Sequence, residues 1–132
     1  MDRSEQLTTE RLVLKELADR DMEDMIRMVT DERIKACYML PDLPDQAQKE
    51  SFYKKLQALS RSNEHFVYGI FRDGKLIGFL NDCETDGQNI ELGYFISPDC
   101  WNRGYAAEAL RAAISELFRI GFSRVEIGRA HV

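Results

Sequence analysis

The chain has 132 residues, with 18 Lys and Arg against 23 Asp and Glu for a net charge of −5 at pH 7. That length supports one hydrophobic core, and 44% hydrophobic with 31% charged residues excludes a disordered or fibrous chain. The acidic balance has the wrong sign to hold a phosphate backbone, so no nucleic acid is expected as a partner.

No run approaches the roughly 18 apolar residues of a membrane span. The opening MDRSEQLTTER lacks the apolar core of a signal peptide. Cys37, Cys83 and Cys100 are odd in number and far apart, which fits neither a disulfide framework nor a zinc motif. The expectation is a cytoplasmic protein with reduced thiols, no metal and no membrane contact.

In chain order, Thr9 to Leu17 alternates as a short strand, with Leu12 and Leu14 on one side and Val13 on the other. Asp19 is placed to cap a helix in which Met22, Met25, Ile26 and Val29 share a face, ending near Thr30. A short helical stretch follows around Ile34 to Met39, and the two prolines of PDLPD break it. From Asp45 the pattern is helical again, with Phe52, Leu56 and Leu59 as its stripe, ending before Asn63. Residues 65–84 read as an antiparallel hairpin turning at Asp73-Gly74. Thr85 to Gln88 makes a second turn, and Asn89 to Ile96 is the third strand of the meander.

From Gly104 a helix is marked by Ala106, Leu110, Ala113, Ile114, Leu117 and Phe118, with Gly121 at its C-terminal cap. Ser123 to Ile127 begins a last strand. The order β-α-α-β-β-β-α-β defines an α/β (α+β) domain in which a meander feeds a helix and then a strand that can pair in parallel.

The segment that can carry chemistry is Ile90 to Ala109, IELGYFISPDCWNRGYAAEA. A strand runs through a loop holding Arg103 and Gly104 directly into a helix rich in small residues. The first four N–H groups of a helix have no intrahelical partner, and the helix dipole adds positive potential there. An anion such as a phosphate is therefore favoured over Asn102 to Ala107. Gly104 would let the backbone approach it, Ala106 and Ala107 would keep side chains clear, and Arg103 would add charge. By spacing alone, packing alanines and a plain loop glycine explain the segment equally well.

The run Trp101-Asn102-Arg103-Gly104-Tyr105-Ala106, with Glu91-Leu92-Gly93-Tyr94 and Ser97-Pro98 before it, resembles the acetyl-CoA-binding motif of the GNAT (GCN5-related) N-acetyltransferase superfamily. It is most similar to the branch of ribosomal-protein N-terminal acetyltransferases, whose members often open on a TERLxLR-like strand, here Thr9 to Lys15. The family pattern begins with Gln or Arg where this chain has Trp101; Gly104 and Ala106 keep to it.

The resemblance implies transfer of an acetyl group from acetyl-CoA, the acyl donor, to a primary amine. The acceptor would be a protein N-terminus or a small-molecule amine. The pyrophosphate would lie on the backbone amides of Asn102, Arg103, Gly104, Tyr105, Ala106 and Ala107, and the pantetheine arm along the strand at Phe95 and Ile96. An ammonium cannot attack a thioester, so a base or a proton-relaying water is needed, and Glu91 occupies the position that implies it. Solvent exposure or an Arg partner is the alternative for Glu91. Met25, Met28 and Tyr38 would border the acceptor. Tyr94 is read as core, His65 as structural or exposed, and Cys100 as an inert thiol. A non-catalytic acyl-CoA-binding module or inactive fragment is the alternative function.

The resemblance also implies a further helix and two strands after the last strand read here, a region that supplies the acid for the leaving thiolate. The closing Ile127-Gly128-Arg129-Ala130-His131-Val132 is what one reading frame of a widely used sequencing adapter encodes. The expectation is a single domain over 1–132 that is truncated at its C-terminus, with 127–132 adapter-derived. Self-association through the exposed sheet edge would follow.

Overall fold

The computed structural model describes residues 1–128. Of residues 127–132, expected to be adapter-derived, 129–132 lie outside the described residues. Six strands form one sheet in sequential order: β1 (Leu7–Thr8), β2 (Val13–Lys15), β3 (Val67–Arg72), β4 (Lys75–Asp86), β5 (Asn89–Ile96) and β6 (Arg124–Ile127). All pairs are antiparallel except β5 with β6, which is parallel. α1 (Met22–Val29), α2 (Glu32–Lys35) and α3 (Gln46–Arg61) lie between β2 and β3, and α4 (Tyr105–Arg119) between β5 and β6. Among the described residues no helix is long and apolar enough to cross a membrane.

The mixed sheet and the parallel last strand match the expected architecture, with differences in the first half, where the helical stretch expected at Ile34 to Met39 is the four-residue α2 (Glu32–Lys35). The expected strand at Thr9–Leu17 is only Val13–Lys15, and an unexpected two-residue β1 folds back on it. Asp19 does not cap α1. It opens a 3-10 turn (Asp19–Asp21), and its carboxylate accepts from Gln57 Nε2 at 2.8 Å, while Asp21 accepts from the Ala18 N–H at 2.9 Å.

The later elements follow local chemistry. Asp45 caps α3 by accepting from the Gln48 N–H at 2.8 Å. Asp73 (φ +50°) and Gly74 (φ +81°) form the two-residue hairpin turn in which both centres are left-handed. Gly121 (φ +114°) stops α4: its N–H donates to the Phe118 carbonyl and the Phe122 N–H to Leu117, the paired bonds of a Schellman motif.

The sheet separates two apolar layers. On one face, Leu12, Leu14, Tyr68, Ile70, Leu80, Ile90, Leu92 and Ile96 pack under Tyr105, Ala109, Ala113 and Leu117 of α4. On the other, Val67, Phe71, Phe79 and Phe95 pack under Met25, Met28, Val29, Ile34, Phe52, Tyr53 and Leu56 of α1–α3. Phe118, expected on the buried stripe of α4, is 52% exposed, because the buried line runs through Tyr105, Ala109, Ala113 and Leu117 instead.

Candidate active site

Among the described residues β5 is paired on both sides only over its first half. β6 covers Asn89 to Leu92, and the Gly128 N–H donates to the Leu92 carbonyl at 2.8 Å. Backbone groups alternate sides along a strand. Tyr94 and Ile96 therefore turn their N–H and C=O groups to the edge that β6 has left. Phe95 turns its own toward β4, opposite Phe79, in register with the Ser97 N–H bond to Ile77. Of the two residues expected along a pantetheine arm, Ile96 has its backbone on the open edge. Phe95 contributes a fully buried ring on the α1–α3 face. The Ile96 carbonyl already accepts from the Trp101 indole N–H at 2.8 Å.

The chain then enters the α4 turn. Asn102 (φ +64°) and Gly104 (φ +80°) are left-handed, with Arg103 between them at negative φ. Alternation of hand along consecutive residues makes a concave row of N–H groups suited to an anion. Gly104 is the N-cap of α4 and brings no side-chain cap. The first α4 bond among the described contacts is from the Glu108 N–H to the Gly104 carbonyl at 3.1 Å. The N–H groups of Tyr105, Ala106 and Ala107 thus precede the helical ladder and open the anion cradle. Asn102, Arg103, Gly104 and Ala107 are exposed, Ala106 half-buried, and the Tyr105 ring buried.

Glu91 lies on the opposite face of β5. It alternates with Gly93 and Phe95, which face the α1–α3 layer, whereas Tyr94 is half-buried on the α4 side. Glu84 of β4 and Glu126 of β6 flank it directly in the register. These three glutamates, with Asp86 and Arg124, line a hollow of about 250 Å³. Arg124 Nη2 lies 3.0 Å from Glu126, and among the described residues no ion pair engages Glu91. A side chain at 128 would overlap the Glu91 carboxylate, so Gly128 leaves it room.

Two expected acceptor residues are placed otherwise. Met25 is fully buried and Met28 4% exposed, both inside the α1–α3 core, because the stripe that holds α1 to the sheet runs through them. They pack rather than line a groove. Tyr38 is half-buried with its ring 6.0 Å from Phe95, on the same face as Glu91. Desolvation, then the neighbouring Tyr94 and Cys37, push its hydroxyl pKa up. His65 is paired with Asp82 at 3.2 Å.

The sequence reading did not single out Arg11 or Glu108. Arg11 Nε donates to Glu108 Oε1 at 2.7 Å, and its Nη1 donates to the Arg103 carbonyl at 2.9 Å. Its guanidinium carbon lies 4.4 Å from the centre of the Tyr105 ring. Burial pushes the Glu108 carboxyl up, but hydrogen bonds from the Thr9 hydroxyl, the Arg11 N–H and the Arg11 guanidinium overcome it and bring the pKa down to about 2. The acidic residue in the first turn of α4 was a visible signal; its partner 97 residues away was not.

Comparisons with known proteins bear on the family and the fold. The family profile described as an acetyltransferase (GNAT) domain matches residues 11–130. The uncharacterized N-acetyltransferase YoaA of Bacillus subtilis (strain 168) is 29% identical over 124 residues, covering 90% of this chain and 70% of that protein. The structure of a candidate ribosomal-protein-serine acetyltransferase from Vibrio cholerae superposes with a TM-score of 0.75 at 25% identity, covering 96% of this chain and 75% of the other. RimL, a ribosomal L7/L12 alpha-N-protein acetyltransferase solved in complex with coenzyme A, shares the fold with a TM-score of 0.75 at 16% identity, over 93% of this chain and 73% of its own. The chain belongs to the GNAT acetyltransferase family, whose members transfer acetyl groups from acetyl-CoA.

Proposed function

We propose that this chain acetylates a primary amine, a protein N-terminus or a small-molecule amine, with Glu91 as the general base or as the residue that positions a proton-relaying water. The carrying observation is the coincidence of three features on β5 and the turn that follows it. The α4 turn offers uncapped N–H groups, β5 has from Tyr94 onward an edge that no described strand pairs, and Glu91 stands on the other face of that strand from α4. The pyrophosphate then rests on the amides of Asn102 to Ala107. The pantetheine arm pairs with the free edge at Tyr94 and Ile96, and the thioester reaches the level of Glu91.

An acceptor arrives as an ammonium, which the Glu84–Glu91–Glu126 row attracts. Once deprotonated, its nitrogen lone pair attacks the acetyl carbonyl carbon. Glu91 or its water takes the first proton from the ammonium; the C–N bond forms, the tetrahedral intermediate collapses, the C–S bond breaks, and the departing CoA thiolate carries off the second N–H proton as the amide forms. Tyr38 borders the acceptor from α2's side of the same face.

The test is thiol release from acetyl-CoA with a panel of N-terminal peptides, polyamines and aminoglycosides. Glu91→Gln is expected to lower kcat by about 100-fold, the scale of one general base, with CoA affinity unchanged. CoA binding without amine-dependent thiol release would instead identify a binding module.

A further inference from the structure

We propose that Arg11 is a positioning residue for the phosphate cradle: its guanidinium fixes the Arg103–Gly104 peptide so that the Gly104 N–H faces the donor's phosphates. This rests on the reading of the α4 turn as the CoA phosphate site.

Arg11 reaches the turn from the loop between β1 and β2. In a trans peptide the C=O and the following N–H point in opposite directions. Nη1 holds the Arg103 carbonyl at 2.9 Å, so the Gly104 N–H is turned away from Arg11. The Gly104 carbonyl accepts from the Glu108 N–H at 3.1 Å, while a Cβ on Gly104 would meet Arg11 Nη2 at 3.4 Å as its one contact from outside the helix among the described residues.

Arg11 is itself held from three sides. Glu108 Oε1 accepts from Nε, Glu108 Oε2 accepts from the Arg11 backbone N–H at 2.8 Å, and the Tyr105 ring underlies the guanidinium. A planar fork bonded at both Nε and Nη1 orients a carbonyl in a way that a single ammonium cannot. Glu108 also neutralises Arg11, so its contribution is the orientation of the turn more than net charge.

Isothermal titration of the full chain with CoA, and separately with pantetheine, which lacks the phosphates, tests this. Arg11→Ala is expected to weaken CoA binding about tenfold, the scale of one charge-assisted contact, and to leave pantetheine binding unchanged. Arg11→Lys keeps the charge without the fork and is expected to weaken CoA at least fivefold.

Thermal midpoints are read first, and if Arg11→Ala does not fold, the lysine variant decides. Native CoA affinity in a folded Arg11→Ala, native affinity in Arg11→Lys, or equal losses for CoA and pantetheine would each overturn the proposal. If the unsubstituted chain binds no CoA, the phosphate-site reading falls, and this inference with it; CoA binding that the Arg11 variants leave untouched overturns only the role of Arg11.

Discussion

Gly104 stands at φ +80°, and a Cβ there would meet Arg11 Nη2 at 3.4 Å as its one contact from outside the helix. An alanine there has room but not the conformation: the left-handed region costs an L-residue about 1 kcal/mol or more. Relaxing that strain would swing the Arg103 carbonyl off Arg11 and close the row of N–H groups. Gly104→Ala is therefore expected to lower stability by about 1 kcal/mol and to weaken CoA binding by a larger factor than the strain alone explains. Chemical denaturation and titration of CoA on the same sample separate the two effects. Asn102, also left-handed at φ +64°, tolerates that region better than most non-glycine residues.

At the scale of elements, Gly78 of β4 faces Ile96 of β5 with no room for a side chain between the strands. A Cβ on Gly78 would lie 2.6 Å from the Phe95 carbonyl oxygen and 2.8 Å from Ile96 Cδ1. The first is backbone and cannot rotate away, so the strands must separate. Gly78→Ala is expected to cost about 2 kcal/mol, within the usual range for overpacking, and to shift β5 at the end that borders the open edge. Urea unfolding measures the cost. A loss of CoA affinity in the folded variant larger than the loss of stability accounts for would locate the shift at that edge.

The elements of this region were legible because their signals are local. Asp73-Gly74 requires two left-handed residues, Asn89–Ile96 alternates, and α4 begins at a glycine and ends at one. β1 was not legible, since two residues carry no period. Nor was the burial of Met25 and Met28 against the core, because a helix stripe shows which residues share a face and not what covers it. The contacts of Arg11 join positions 92 and 97 residues apart, and no spacing rule connects a loop arginine to a carbonyl across the fold.

Across the whole molecule, the first twelve residues act as a strap over α4 and the end of α3. Arg3 donates to the Ser60, Ser62 and His65 carbonyls, and the Tyr68 hydroxyl donates to the Ser4 carbonyl. The Ser4 N–H donates to Glu116, and Thr9 and Arg11 donate to Glu108. Two carboxylates of α4 thus anchor the strap. Hydrogen bonding from Arg119 lowers Glu116 against the opposing effect of burial, with Ser4 adding to the pull, to about 2; Glu108 is brought to the same value.

Both folded-state values lie below the ordinary 4.5. The unfolded chain therefore binds more protons through this interval, and stability rises with pH across it. The strap's contribution is complete above about pH 5 and is lost as pH falls from 4.5 toward 2. After allowance for solvent screening each lowered carboxylate contributes about 1–2 kcal/mol; the strap supplies this through Thr9 and Arg11 at Glu108, and at Glu116 it adds Ser4 to the larger effect of Arg119 of α4 itself.

Thermal midpoints measured from pH 7 to pH 2.5 should hold steady and then fall below pH 4.5, with Glu108→Gln and Glu116→Gln each flattening part of the fall. CoA affinity should decline over the same interval in the native chain, because loss of Glu108 charge releases Arg11 from the Gly104 turn. A Glu108→Gln variant whose CoA affinity at pH 7 equals that of the native chain would separate the strap from the cradle and leave its contribution to stability alone.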